Sequence, residues 1–308
     1  HVRSRRQRQM CIRDRLIGEH AVTFGQPAIA IPFTTGRVKA SITALDEGHA
    51  SSITSDVYEG DLDYAPEHIK AVVTRFIEKY HIDNPIHVVF ETNLPPSRGL
   101  GSSAAMAVAF VRASYDYLER PLSDEQLIEE ANWAERIAHG KPSGIDTQTI
   151  VSNQPVWFKQ GKVEKLKPLD IHAYMVVIDT GIQGSTKQAV EDVHRLCESD
   201  AHYMACVERL GEFTYQASEA IEQHDFHKLA NVFNEGQKHL RELTVSHDKI
   251  EMLLEASHQH GTTAGKLTGG GRGGSMIVLA EDRETADKIA ESAEHLGAHH
   301  TWIEYLGG

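Results

Sequence analysis

The sequence predicts an α+β protein of two domains, and three observations carry that prediction. Up to about residue 158, strand-like alternation is interrupted by helix-like stretches. From about residue 185 to residue 260 the apolar spacing is helical almost throughout. A strand, a helix and a strand then follow in turn near 275–280, 283–296 and 301–305, which suggests a second α/β domain of ferredoxin-like type. The change of character falls between Gln160 and Ala173, so the domains are read as 1–165 and 166–308.

Taken in order, residues 28–33, 38–45 and 86–91 read as strands. Residues 66–80 have helical spacing, with Ile69, Val72, Val73, Phe76 and Ile77 on one side. An alanine-rich helix over 103–118 follows a glycine-rich turn and is stopped by Pro121. The next helix opens on Ser123-Asp-Glu-Gln126, a pattern in which side chain and backbone cap each other, and closes at Gly140. Short strands are expected within 155–165 and at 174–179, then helices over 185–223, 226–240 and 248–260.

The formal net charge of −13 argues against a nucleic-acid binder, because phosphate backbones are held mainly by clustered Lys and Arg. Residues 1–15 run against the trend, with six arginines (Arg3, Arg5, Arg6, Arg8, Arg13, Arg15) facing one Asp14. They have almost no apolar residues, and the pattern changes abruptly at Leu16. Three readings compete for them: a basic targeting arm, a flexible functional tail, and a stretch foreign to the natural protein set where a first strand should begin, of which the last is favoured. No apolar run approaches the roughly 18 residues a membrane span needs. The three cysteines form no CxxC pair, which suits a reducing cytoplasm. The histidine pairs His224/His227, His258/His260 and His299/His300 are read as solvated surface residues. An acidic protein that binds an anionic ligand must rely on backbone N–H groups, a metal ion and a few placed cations.

Four strings fit that expectation. In Pro95-Pro-Ser-Arg-Gly-Leu-Gly-Ser-Ser-Ala-Ala105, the glycines let backbone N–H groups approach a ligand, and the following helix points its positive end at it. A triphosphate is the natural guest, with Ser102 and Ser103 able to ligate Mg²⁺. The alternative is an ordinary capped helix. In His139-Gly-Lys-Pro-Ser-Gly-Ile-Asp146-Thr, Pro142 and Gly144 set a tight turn that presents a carboxylate suited to a base, although this string alone favours a solvated loop aspartate. Glu135, on the helix before it, shares the apolar face of Ile128, Ala131 and Ala138, which is costly unless a metal or an arginine meets it. Lys266-Leu-Thr-Gly-Gly-Gly-Arg-Gly-Gly-Ser275 contains GxGxxG but leads into a strand, so it is no dinucleotide fingerprint. It reads as a second glycine-rich loop packing against the phosphate site, the alternative being a flexible hairpin-like connection. Neither Lys141 nor Lys266 sits in a GxxxxGK[ST] string, so no P-loop is present. Finally, Leu16-Ile-Gly-Glu-His-Ala-Val sets Glu19 and His20 between apolar residues near glycines, as a site for a small polar ligand would.

Together and in this order, these strings resemble the GHMP kinases from about Leu16 to the end of the chain. Gly18-Glu-His-Ala-Val and His139-Gly-Lys-Pro-Ser-Gly-Ile-Asp146 are similar to the forms found in members that act on mevalonate. The resemblance implies a two-domain GHMP kinase fold, with an N-terminal α/β domain, a ferredoxin-like C-terminal domain and the active site in the cleft between them. It implies transfer of the γ-phosphate of ATP to a hydroxyl of mevalonate, with Mg²⁺ as cofactor. Ser103 and Glu135 would hold the metal, and Asp146 would be the base or charge partner at the hydroxyl. Pro95, Pro96, Ser97, Arg98, Gly99, Leu100, Gly101, Ser102, Ser103, Ala104 and Ala105 would hold the ATP phosphates. Glu19 and His20 would line the mevalonate pocket together with Asp146. One departure stands out: where the family has a lysine three residues before Leu-Ile-Gly-Glu-His, this chain has Arg13, whose planar guanidinium directs charge differently from an ammonium. Two rivals remain open: a GHMP kinase for phosphomevalonate, homoserine or a sugar, and a binding module that lost catalysis. Oligomeric state is open too, a homodimer included.

Overall fold

The computed structural model describes residues 6–93, 102–139, 144–262 and 264–307, the first of these up to Asp14 as backbone only. The chain forms two compact units. Residues 36–93, 102–139 and 144–153 belong to the first, and residues 15–35 and 154–307 to the second. The backbone of Arg6–Ile17 forms a strand, β1, which pairs with the long strand β2 (Ala28–Ala44). The arginine-rich stretch therefore supplies the backbone of a first strand instead of leaving that place empty.

In the first unit the second half of β2 runs antiparallel to β5 (Ile86–Thr92), with Ala40 opposite Phe90 and Ile42 opposite Val88. On the far side of β5 lies the short parallel strand β3 (Ser52–Thr54), itself paired with β4 (Glu59–Asp61). Four helices complete the unit: α1 (Glu67–Tyr80), α2 (Ser102–Tyr117), α3 (Asp124–His139) and α4 (Ile145–Ser152). Alternation in β5 turns Ile86, Val88 and Phe90 inward. Phe76 of α1 meets Phe110 of α2 edge to face, 5.7 Å between ring centres, as aromatic quadrupoles favour. The expected cap of α3 is formed from both sides: Ser123 Oγ accepts from Gln126 N at 3.3 Å, and Gln126 Oε1 accepts from Ser123 N at 3.2 Å.

In the second unit the start of β2 pairs with β6 (Val156–Lys159), which turns through Gln160-Gly161 into β7 (Lys162–Lys165). Both turn residues have positive φ, the signature of a tight hairpin. A separate antiparallel sheet holds β8 (Ala173–Asp179), β9 (Gly265–Thr268), β10 (Ser275–Ala280) and β11 (His300–Leu306) in the order β11-β8-β10-β9. Fourth, first, third, second is the ferredoxin-like order. Met175, Val176, Val177 and Ile178 of β8 are all closed to solvent, so this central strand is covered on both faces. The helices are α5 (Thr186–Ser199), α6 (Ala201–Glu222), α7 (Phe226–Glu242), α8 (Asp248–His258) and α9 (Arg283–His295), the last packed on β8 and β11.

Two expectations are corrected here. The helix read over 185–223 is two helices, because Asp200 takes extended dihedrals and its carboxylate accepts from His202 N at 2.8 Å, capping α6. The string beginning at Lys266 is not a loop throughout. Lys266, Leu267 and Thr268 lie in β9, and Gly269–Gly274 is the turn of a hairpin into β10. No helix among the described residues is long and apolar enough to cross a membrane.

Candidate active site

In the second unit the polar cluster begins where β1 ends. Leu16 and Ile17 are buried, and Gly18 then turns the chain at φ 98° against the start of β2. A Cβ at Gly18 would lie 2.6 Å from Pro27 O and from Ala28 Cα, so only glycine fits. Glu19, which follows, has no exposed surface, and neither has Lys266 of β9. Lys266 Nζ lies 2.7 Å from Glu19 Oε1, donates to Leu267 O at 2.8 Å, and stands 5.5 Å above the Phe233 ring. A carboxylate and an ammonium taken out of water must be paired closely and hydrogen-bonded, and this pair is both. The second oxygen, Glu19 Oε2, is buried with no hydrogen-bond partner among the described residues.

His20 adopts φ 57°, a strained conformation for a residue with a Cβ, and opens a short 3₁₀ turn at Ala21–Phe24. Its Nε2 lies 3.1 Å from Gly270 O in the β9–β10 turn. Burial, with Arg15 and Arg272 adding to it, lowers the imidazole pKa to about 4, so the ring is neutral near pH 7. A carbonyl can only accept, so Nε2 carries the ring proton and Nδ1 is left as a lone-pair acceptor. That Nδ1 is buried and without a partner among the described residues. The turn that supplies Gly270 O is held tightly: Gly271 has φ 71°, and a Cβ there would lie 2.1 Å from Val245 O. The unit thus holds two buried, unpartnered acceptors, Glu19 Oε2 and His20 Nδ1, on adjacent residues.

In the first unit, α2 packs against both α3 and α4. Ser103, in the first turn of α2, donates from Oγ to Glu135 Oε1 at 2.6 Å. Glu135 is 5% exposed, and of the residues expected on its face Ala131 is buried, Ile128 is half-buried and the side chain of Ala138 lies outside the described residues. Asp146, expected on a tight turn, lies in the first turn of α4, after Gly144 at φ 77°. A carboxylate is favoured there by the positive end of the helix. Next to it, Thr147 is buried, with its hydroxyl oxygen unpartnered among the described residues.

The structure therefore brings Ser103 to Glu135 in one unit, and Glu19 to His20 and Lys266 in the other. Ala104 and Ala105 are buried in the first turn of α2. Pro95–Gly101 lie outside the described residues, as do the side chains of Ser102 and Arg13. Lys266 was missed as a site residue. The signal for it was indirect: a glutamate set among apolar residues requires a cation, but the partner is 247 positions away.

Comparison with known proteins now adds to this geometry. Residues 67–153 match the model of the GHMP kinases N terminal domain, and residues 217–299 match that of the GHMP kinases C terminal region. The mevalonate kinase of Pyrococcus abyssi is 30% identical over 302 residues, covering 89% of this chain and 90% of that protein. The chain belongs to the GHMP kinases. Among solved members of the family, the mevalonate kinase of methicillin-resistant Staphylococcus aureus MRSA252 is 54% identical. The two superpose with a TM-score of 0.84, covering 99% of this chain and 100% of the other. The L. major mevalonate kinase in complex with R-mevalonate shares the fold at a TM-score of 0.86, with 23% identity, covering 100% of this chain and 98% of that one.

Proposed function

We propose that this GHMP kinase is a mevalonate kinase, transferring the γ-phosphoryl group of ATP to the terminal hydroxyl of mevalonate. The observation that carries the reading is the near full-length likeness to the Staphylococcus aureus mevalonate kinase. The polar cluster in the second unit agrees with it. Mevalonate is a hydroxylated carboxylate, and two adjacent buried acceptors, Glu19 Oε2 and His20 Nδ1, suit its hydroxyl donors. Lys266 neutralises Glu19, so the substrate's own carboxylate would not meet an uncompensated negative charge.

Glu135 and Ser103 would hold Mg²⁺. Their oxygens are hard donors 2.6 Å apart, and a hard cation takes such a set. When bound, the ion neutralises charge on the β- and γ-phosphate oxygens. The N–H groups that open α2, at Ser103, Ala104 and Ala105, together with the Pro95–Gly101 segment, would bind the phosphates. Arg13 stands in the position of the family lysine. Asp146 orients the substrate hydroxyl and receives its proton as the new O–P bond forms and the bond to the β,γ-bridging oxygen breaks, releasing ADP. We place the reaction in the cytoplasm, where ATP is supplied and the thiols of Cys197 and Cys206 stay reduced.

The test is ADP release in a coupled assay with Mg²⁺ and a panel of mevalonate, phosphomevalonate, homoserine and galactose. Mevalonate is expected to exceed every other acceptor by at least about tenfold, since a pocket built to hydrogen-bond its substrate discriminates at least that well. Equal turnover with another acceptor overturns the substrate assignment.

A further inference from the structure

In the second unit α6 and α7 pack together, and their seam gathers three different metal-ligating side chains. His202 and Cys206 are four residues apart on α6, so they share one helix face. Glu242 closes α7 opposite them. His202 Nε2 lies 2.9 Å from Glu242 Oε2, Cys206 Sγ lies 3.2 Å from the same oxygen, and the sulfur is 4.0 Å from His202 Nε2. We propose that His202, Cys206 and Glu242 form a zinc site that joins α6 to α7, with water as the fourth ligand.

The geometry is close to what the ion requires. Bonds of about 2.3 Å to sulfur and about 2.0–2.1 Å to nitrogen and oxygen put tetrahedral ligand atoms roughly 3.2–3.6 Å apart. The three observed separations, 2.9, 3.2 and 4.0 Å, bracket that range. Chemistry selects the metal. A thiolate and an imidazole favour a borderline-soft ion over the hard Mg²⁺ that the kinase uses, and the carboxylate offsets its charge. Cys206 is buried while His202 and Glu242 reach solvent, which gives the ion an entry path. Metal-free, the thiol is protonated: burial and the Glu242 carboxylate push it up to about 12. Coordination replaces the S–H bond with a Zn–S bond and releases the proton to solvent, so affinity rises with pH.

The test uses the full chain, stripped with a chelator and titrated with Zn²⁺ against a competing chromophoric chelator. A parallel titration with Co²⁺ reports a thiolate-to-metal band in the near ultraviolet. One Zn²⁺ per chain is expected, with the Co²⁺ band present and lost in Cys206→Ser. Affinity should fall at least about a hundredfold in both Cys206→Ser and His202→Ala. Because His202 is exposed, His202→Ala folds and decides the matter even where Cys206→Ser does not. Its turnover in saturating Mg²⁺ should equal that of the parent chain. Absence of stoichiometric Zn²⁺ binding, or binding untouched by His202→Ala, overturns the proposal.

Discussion

Glu135 in the first unit and Glu19 in the second are both nearly closed to solvent, yet they are held in chemically different ways. Glu135 takes a neutral hydroxyl from Ser103, whereas Glu19 takes the ammonium of Lys266. A hydroxyl orients a carboxylate without itself supplying a countercharge. An ammonium at 2.7 Å offsets the charge, and what Glu19 keeps is one buried oxygen with no partner among the described residues. Under the proposed function, buried acids of one residue type would serve two ends, Glu135 as a metal ligand and Glu19 as a substrate acceptor. Which end is served depends on what each is paired with, and a change of pairing should exchange or abolish these properties.

The largest effect is expected in the first unit at Asp146. Asp146→Asn keeps the size and the place in α4 but cannot receive a proton. Its kcat should drop by about two to four orders of magnitude while the apparent affinity for ATP stays near that of the parent chain. A parallel loss of ATP affinity would assign Asp146 to the nucleotide instead of the hydroxyl.

Next comes the buried pair itself. Lys266→Met leaves Glu19 buried and uncompensated, at a cost of about 3–5 kcal/mol in urea unfolding. Glu19→Gln/Lys266→Met, with both charges gone, should recover most of that stability and none of the activity with mevalonate. If the double variant is active, Glu19 is a structural residue and the contrast with Glu135 collapses.

These contrasts were only partly legible in the sequence, because local signals and distant pairings differ in kind. The cap of α3 could be read because Ser123 and Gln126 satisfy each other within one turn. Strand β2 was read as two, broken near Thr34-Thr35-Gly36. It continues because the distant Glu304 of β11 accepts from Thr34 N at 3.1 Å and Thr35 N at 2.9 Å. The helix α4 was missed because eight residues after a Pro-Gly turn show too little periodicity to reveal a face. Glu19 and Glu135 stood out as acids among apolar neighbours, but only the fold could show that one partner is a serine and the other a lysine. The seam of His202, Cys206 and Glu242 shows the same limit: two ligands sit at helical spacing and the third comes from another helix.

The histidine beside Glu19 sharpens the comparison through pH. His20 has a pKa of about 4 in the folded chain against an ordinary 6.5, since burial opposes its charged form and Arg15 and Arg272 add to that. Between those values the unfolded chain binds more protons, so stability rises with pH across the window. The contribution is complete above about pH 6.5 and is lost as pH falls toward 4, amounting to about 3 kcal/mol in all. Urea unfolding at several pH values should therefore show a shallower slope between pH 4 and 6.5 for His20→Asn than for the parent chain. Identical slopes would mean that the imidazole is charged in the folded state and that Nδ1 is a donor, not an acceptor.

The smallest effects separate the two partners in the first unit. Glu135→Gln removes the charge and should raise the Mg²⁺ concentration for half-maximal rate by roughly ten- to a hundredfold. Ser103→Ala removes only a neutral oxygen, worth about 1 kcal/mol, so the Mg²⁺ requirement should rise by about fivefold. The ranking matters more than either value. A hydroxyl and a carboxylate that share one ion must both shift the Mg²⁺ dependence, the charged ligand by more. If Ser103 merely ties α2 to α3 through Glu135, Ser103→Ala will lower the unfolding free energy by about 1 kcal/mol and leave the Mg²⁺ curve where it was. The double variant Ser103→Ala/Glu135→Gln completes the cycle. Two ligands of one ion should be non-additive in the Mg²⁺ titration, because the second loss falls on a site already broken.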